Sequence, residues 1–537
     1  MKNIMKAKRL VIWILSLTFM PVTAVADAYD ANNYLPTNAN VTLNETNLPI
    51  LFINTTALTG NTTVIHKDYR VAVRMTIISN ADGKNYADTV AHPNQKIDYD
   101  GWVAIKYRGN SSFEYAKKKP LGFKTMATSD VDGKKEKVKL LGMPKDNDWV
   151  LLAPYHDRSM IRDVLTFELA RPYFEYTPRS RHCELIMDGV YRGVYILCEK
   201  PGKGKNRLNL EEPGDEGDAV TGDYLIEVDG NDEEHYYTSK YKARDANGKD
   251  IYLHSNVYIQ YKAPDYDDMM PDHPAQLEYI NQHISDMEDA LNGPGFASPQ
   301  TGYRHYFDVS SIVNFMLTQE FTGNPDAYRR STYLYKRRDS VDPRFKMCLW
   351  DFNMAYGNSL QGYLGENKWH YINESSIQAF RHNHVPFWWT RMMSDPYYVD
   401  RLKRRWGEFR TSSFREAHIT QVIDSLVNLL EIGGARERNY QAWPNWNEYV
   451  YLAANNTRNY EEEIATLRSW IDSHLSWLDQ QLGFDPQSQT TGILSCTLNA
   501  DGNEAGSEWY DLQGRRIDGL PAKKGVYVHG GRKVVVR

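Results

Sequence analysis

Cysteine is scarce in this chain: four occur among 537 residues, Cys183, Cys198, Cys348 and Cys496. None forms a CxxC pair or sits near histidine at a metal-ligand spacing, which excludes a disulfide scaffold and a cysteine zinc site. Glycine-rich phosphate loops are missing too. Neither GxGxxG nor GxxxxGK[ST] occurs, so no dinucleotide fold or P-loop is indicated. A surplus of positive charge is also lacking, since 63 Lys and Arg stand against 69 Asp and Glu for a net charge of −6. That balance excludes a partner recognised by a general positive field, and no nucleic acid is expected. Beyond the first twenty residues no apolar run is long enough to span a bilayer, so the mature chain is expected to carry no transmembrane segment.

Aromatic residues are plentiful, with 13 Trp and 37 Tyr, and 41% hydrophobic against 25% charged residues is the composition of a folded chain. The length suggests about three units, one of them large. Residues 1–26 read as a signal peptide. Lys2, Lys6, Lys8 and Arg9 precede an apolar stretch over 10–20, and Ala24, Val25 and Ala26 offer small side chains for cleavage near Asp27. Export to the periplasm, the outer surface or the medium follows. No cysteine directly follows the cleavage point, so no lipid anchor is indicated.

The first half reads as strands: runs at 48–53, 69–78, 102–108, 120–125, 149–153 and 223–229 are short, apolar and bounded by turn residues. Residues 183–187 and 190–199 form the arms of a hairpin about Asp188-Gly189. A two-residue turn there sets Cys183 opposite Val194 and keeps it too far from Cys198 for a disulfide, so all four cysteines are expected to be buried thiols. Helical spacing enters at 158–169 and dominates later. Leu277, Ile280, Ile284, Met287 and Leu291 repeat at that spacing and stop before Gly293-Pro294. Asp308 is placed to cap a helix that delivers the chain to Asp326. Strands at 331–336 and 345–349 then lead to Asp351, and three further helices occupy the region from 395 to 478. Residues 490–537 return to strands separated by glycine turns, resembling the small β tails of exported Bacteroidetes proteins, some of which are sorting signals.

Two of these element ends carry acids: Asp326 in NPDAYRRSTYLYK and Asp351 in LWDFNMAYGN. Aspartates at such ends are commonly caps or turn formers. They also suit phosphoryl transfer, in which one acid orients the attacking hydroxyl and another holds magnesium between phosphates.

The ordered set YRGNSSFEYAKKKPLGFKT, LLGMPKDNDWVLLAPYHDRSMIRDVLTFELA, MDGVYRGVYILCEK, GDYLIEVDG, NPDAYRRSTYLYK and LWDFNMAYGN resembles the spore-coat protein H (CotH) kinase family. The resemblance runs from about residue 48 to 482. It implies an α+β, atypical protein-kinase-like fold with a sheet-rich N-terminal half, a helical C-terminal half and a small β tail. In that reading 27–95 lead into a kinase-like domain at 96–485, and ATP and Mg²⁺ are the cofactors. Asp326 matches the catalytic acid and Asp351 the magnesium ligand. Arg108, Lys119 and Lys124 are cations suited to phosphate oxygens, with Lys124 in the place of a strand lysine. Glu199 could orient that lysine or a metal, or could pair with a buried arginine such as Arg162. Phe345 occupies a place where the family can offer an aromatic face to adenine. The family's WDFD pattern reads WDFN here, so Asn353 offers a carbonyl oxygen where a second carboxylate is usual.

The leading expectation is an exported kinase that transfers the ATP γ-phosphate to Ser or Thr of a protein substrate. The alternative is a catalytically weakened cell-surface protein that keeps the fold and engages a surface partner.

Overall fold

The structure is a computed structural model, and it describes residues 34–231, 233–251, 255–360, 367–373 and 384–486, together with 494–495, 509–510, 516–517, 521, 525–529 and 532–536 near the C-terminus. The signal-peptide reading of 1–26 and Cys496 lie outside the described residues.

Seven strands close a barrel: β1 (Ile50–Asn54), β2 (Val71–Ile78), β3 (Ile97–Tyr107), β4 (Leu121–Met126), β5 (Asp148–Leu152), β6 (Ser180–Met187) and β7 (Val190–Glu199). Their order is β1-β2-β3-β4-β5-β7-β6, and the parallel pairing of β1 with β6, Ile50 opposite Glu184, joins the two ends. Alternation explains the closure, because successive side chains of a strand face opposite sides. Val73, Met75, Val103, Ile105, Leu121, Phe123, Trp149, Leu151, Leu185 and Leu197 fill the inside. Strands β1 and β2 come from the segment before residue 96 and are integral staves of this barrel.

The hairpin about Asp188-Gly189 is present, with Met187 opposite Val190. A bulge between Leu185 and Ile186 shifts the register beyond it, so Cys183 faces Tyr195 rather than Val194. The cause lies on β7. Gly193 adopts φ +94, where an added Cβ would meet Asn439 Oδ1 at 2.6 Å. That asparagine belongs to α7 (Ala435–Ala442, numbered in the helix order below), and its Oδ1 accepts from Val194 N and Lys118 Nζ. Cys183, Cys198 and Cys348 are buried free thiols as expected.

Helix α1 (Arg162–Ala170) sits between β5 and the hairpin. After β7 the chain builds a five-stranded sheet from β8 (Tyr224–Asp229), β9 (Tyr236–Thr238), β10 (Tyr258–Ala263), β11 (Thr332–Lys336) and β12 (Lys346–Cys348), in the order β9-β10-β8-β11-β12. Besides three four-residue helical turns, the further helices among the described residues are α2 (Pro274–Asn292), α3 (Val309–Thr322), α4 (Trp388–Met393), α5 (Pro396–Arg410), α6 (Glu416–Glu431), α7 and α8 (Tyr460–Leu482). This is a mixed α+β chain, sheet-rich in its first half and helical in its second. The strands at 494–495, 509–510, 516–517, 525–529 and 532–536 form a further small sheet.

Helix α3 packs against α5, α8 and β12 and is buried on almost every face. Asp308 caps it, accepting from Ser311 N at 2.9 Å. Gly323 ends it at φ +53, against the ring of Trp470 where a Cβ would clash. The chain is therefore released into Asn324-Pro325-Asp326 from a rigid support. Among the described residues no helix is long and apolar enough to cross a membrane.

Candidate functional site

A cleft of about 950 Å³ separates the barrel from the second sheet and its helices. The barrel contributes Lys106 and Arg108, which leave β3 on the outward parity opposite to inward Ile105 and Tyr107. Asp163 comes from α1, and Glu227 and Asp229 from the end of β8. Asp326, Arg330 and Ser331 enter from the loop after α3, and Asp351 and Asn353 from the turn after β12. The two acids singled out in the sequence thus line one cleft.

One side chain ties their loops together. Asn324 is buried; its Nδ2 donates to the carbonyl of Asp351 at 3.1 Å, and its Oδ1 accepts from Asp326 N at 3.2 Å. Asp326 is further held by Arg329, whose Nη2 donates to Oδ1 at 2.9 Å. Asp351 has φ +62, a backbone state that L side chains rarely adopt, and Tyr328, Ser331 and Tyr356 in the same region share it. Such strain persists only where the surroundings fix it, and it gathers at functional sites. The GDYLIEVDG motif joins the same wall. Asp229 accepts from Arg330 Nη1 and Ser331 N, each at 3.3 Å, while Lys262 Nζ stands 3.2 Å from Glu227.

The electrostatics are those of crowded acids. Loss of hydration lifts the Asp351 carboxyl above its ordinary range, and the neighbouring Asp326 and Asp229 charges lift it further, while Arg108 pulls it down. Asp163 is lifted in the same way, first by burial and then by Asp351. Burial and Asp229 push Glu227 up to about 8. These carboxyls repel one another, and a divalent cation would relieve that.

The donor set fits such an ion through hard oxygen ligands, Asp351 carboxylate and Asn353 carbonyl among them. Among the described residues no three His, Cys, Asp or Glu side chains are arranged to hold a metal by themselves. Magnesium in nucleotide sites typically takes one or two protein carboxylates and draws its remaining ligands from phosphates and water.

Four sequence-selected residues do not line the cleft. Lys119 Nζ donates to the Phe113 carbonyl and lies over the Tyr34 and Phe113 rings. Lys124 is on the outer face of β4, opposite Ala104 and beside Asp148. Glu199 faces Trp149 across β5 on the inward parity of Leu197, and pairs with Arg179 at 3.0 Å. It is a structural partner, yet not of Arg162, which instead binds Asp157 and Glu463. Phe345 is wholly buried between Phe307 and His283. Arg108, Asp326, Asp351 and Asn353 remain, with Arg108 stacked 5.6 Å over Trp350. Reading by sequence missed Lys106, Lys200, Asp163, Glu227 and Asp229. For Lys106 the signal was available: alternation along β3 puts it on the face of Arg108.

No curated protein matches the chain. The model of the CotH kinase protein family matches residues 105–478, well over half of the sequence and inclusive of every cleft acid described above. The chain belongs to the CotH kinase family.

Proposed function

We propose that the protein is an exported, ATP- and Mg²⁺-dependent protein kinase that phosphorylates Ser or Thr of a protein substrate. The observation that carries this reading is the tie made by Asn324, which holds the loops of Asp326 and Asp351 together at one cleft. Family membership supports a kinase-like activity, and the cleft volume of about 950 Å³ accommodates a nucleotide with room for an acceptor segment.

Asp326 orients the acceptor hydroxyl and takes its proton as the new P–O bond forms and the γ-phosphorus separates from the bridging oxygen that leaves with ADP; the ion pair with Arg329 fixes the carboxylate's direction. Asp351 and Asn353 would hold the divalent cation. When bound, Mg²⁺ neutralises charge on the phosphates. Arg108, Lys106 and Lys200 face the cleft as cations for phosphate oxygens, so the phosphate role assigned by sequence to Lys119 and Lys124 falls to Lys106 and Lys200.

Purified mature protein incubated with Mg²⁺, γ-labelled ATP and a mixed protein acceptor tests the reading. Transfer of label to Ser or Thr, lost in Asp326→Asn, is expected. Absence of Mg²⁺-dependent ATP binding by calorimetry would sink it and leave the second reading, a surface-binding protein with a weakened site, which Asn353 favours.

A further inference from the structure

We propose that Asp163, the second residue of α1, supplies the carboxylate that Asn353 lacks, so that the divalent cation is held from α1 as well as from the turn after β12. The inference rests on the proposed function only in taking a divalent cation to bind beside Asp351.

Position comes first. Asp163 Oδ1 accepts from the amide of Phe352 at 2.6 Å, and Phe352 lies between Asp351 and Asn353 in the chain. The hydrogen bond therefore pins one carboxyl against the backbone that carries both other ligands. Asp163 lines the same cleft while being only 8% exposed. The amide of Phe352 holds one carboxyl oxygen, and the carboxyl borders the cleft that Asp351 and Asn353 line.

A mostly buried carboxyl that faces the like charge of Asp351 is costly unless something neutralises it. Arg162, the preceding residue, cannot, since its guanidinium is committed to Asp157, Glu463 and the Ala355 carbonyl. Arg108 is near enough to pull on Asp163 and Asp351 alike, but one cation shared by two acids leaves net negative charge. A hard divalent cation, bound by oxygen ligands, completes the balance. Helix α1 buries its Leu165, Phe167 and Leu169 in the main core, so the ligand would sit on a rigid element rather than on the turn alone.

The test is a charge swap read as metal affinity. Mn²⁺ is titrated into nucleotide-free protein and followed by electron paramagnetic resonance, for wild type, Asp163→Asn, Asn353→Asp and the double variant. Asn keeps an Oδ1 to accept from Phe352, and thermal melts in chelator should show Asp163→Asn folded. Loss of one carboxylate ligand is expected to weaken Mn²⁺ by about tenfold or more, with the double variant returning to within about threefold of wild type. Asn353→Asp alone, which leaves α1 intact, should raise affinity less on the wild-type background than on Asp163→Asn. Unchanged affinity in Asp163→Asn, failure of the double variant to recover, or no Mn²⁺ binding by wild type would each overturn the assignment. Metal binding without any phosphotransfer would instead sink the kinase reading and leave Asp163 as a ligand.

Discussion

Arg162 and Asp163 are neighbours on α1 and both are buried, yet they meet opposite surroundings. Arg162 Nη1 reaches Asp157 at 2.5 Å and Glu463 at 2.7 Å, and those acids are in turn hydrogen-bonded by Ser159 and Thr457. Asp163 meets Asp351, a like charge, across a cleft. The difference separates two uses of buried charge. Where every charge is answered, the group joins the segment before α1, α1 itself and α8 into one body. Where acids face acids around open space, the fold carries an electrostatic cost that a ligand can remove. Breaking the first cluster should harm the fold, and breaking the second should harm function.

The largest effect is expected in the cleft. Asp326→Asn keeps the shape of the side chain and removes the proton acceptor, so phosphotransfer should fall by about 10²–10⁴-fold, measured as label incorporated at saturating ATP. Its melting temperature should stay close to wild type, since the residue is at the cleft surface. Transfer persisting within a few-fold of wild type would show that the Asp326 carboxylate does not take the acceptor proton.

The answered cluster gives the next largest effect, on stability. Arg162→Met fills similar volume but leaves Asp157 and Glu463 buried without their cation, a change that costs about 3–5 kcal/mol. Urea unfolding at neutral pH measures it. A loss below 1 kcal/mol would show that the triad is not the joint it is taken to be.

The two clusters should also respond to pH with opposite signs. In the cleft, Asp163, Asp351 and Glu227 have folded-state values above the unfolded ones, the last at about 8. Between the ordinary carboxylate range near pH 4 and pH 8, the folded state therefore binds more protons than the unfolded state. Their contribution to stability falls as pH rises through that window. Glu463 is held below its ordinary value, because Arg162 and Thr457 outweigh its burial. Its contribution is present above the unfolded value and is lost as pH falls through the folded one. Unfolding free energies measured from pH 4 to 8 should thus decline less steeply in Asp163→Asn than in wild type. Glu463→Gln should lose stability chiefly at the neutral end. Mg²⁺ should recover part of the loss at pH 8 in wild type and less in Asp163→Asn.

Much of this architecture could be read from residue pattern. Helical spacing marks α2, α3 and α5, short apolar runs between turn residues mark the barrel strands, and the place of Asp308 before an apolar periodic run marks it as a cap. The two acids of the cleft were found because they end such elements. What escaped needed tertiary knowledge. The bulge that turns Cys183 toward Tyr195 is imposed by α7, more than two hundred residues away, docking on Gly193. Phe345 could not be told from a ligand platform by residue type, and only the packing of Phe307 and His283 settles it as core. Asp163 was hidden because a helix spelled RDVLTFELA shows its apolar face plainly, while nothing in the spacing reveals that its first turn meets Phe352.

The smallest predicted effect applies the same comparison to lysines on one face of the barrel. Burial and neighbouring cations lower both lysines, but the largest charge acting on Lys124 is the opposite one of Asp148 across the strand pair, whereas the largest on Lys106 are the like charges of Arg70 and Lys67, with Asp68 opposing them more weakly. Lys106 also lines the cleft and Lys124 does not. A cation crowded by cations gains most when an anion arrives, so phosphate should draw on Lys106. Lys106→Ala is expected to weaken Mg-ATP binding by about five- to tenfold, roughly 1 kcal/mol for a charge-assisted contact at a partly exposed group, and Lys124→Ala by less than about twofold. Calorimetric titration of both variants decides between them. Equal losses would mean that both lysines act through the general field of the barrel face, and that being answered by Asp148 does not withdraw Lys124 from the ligand.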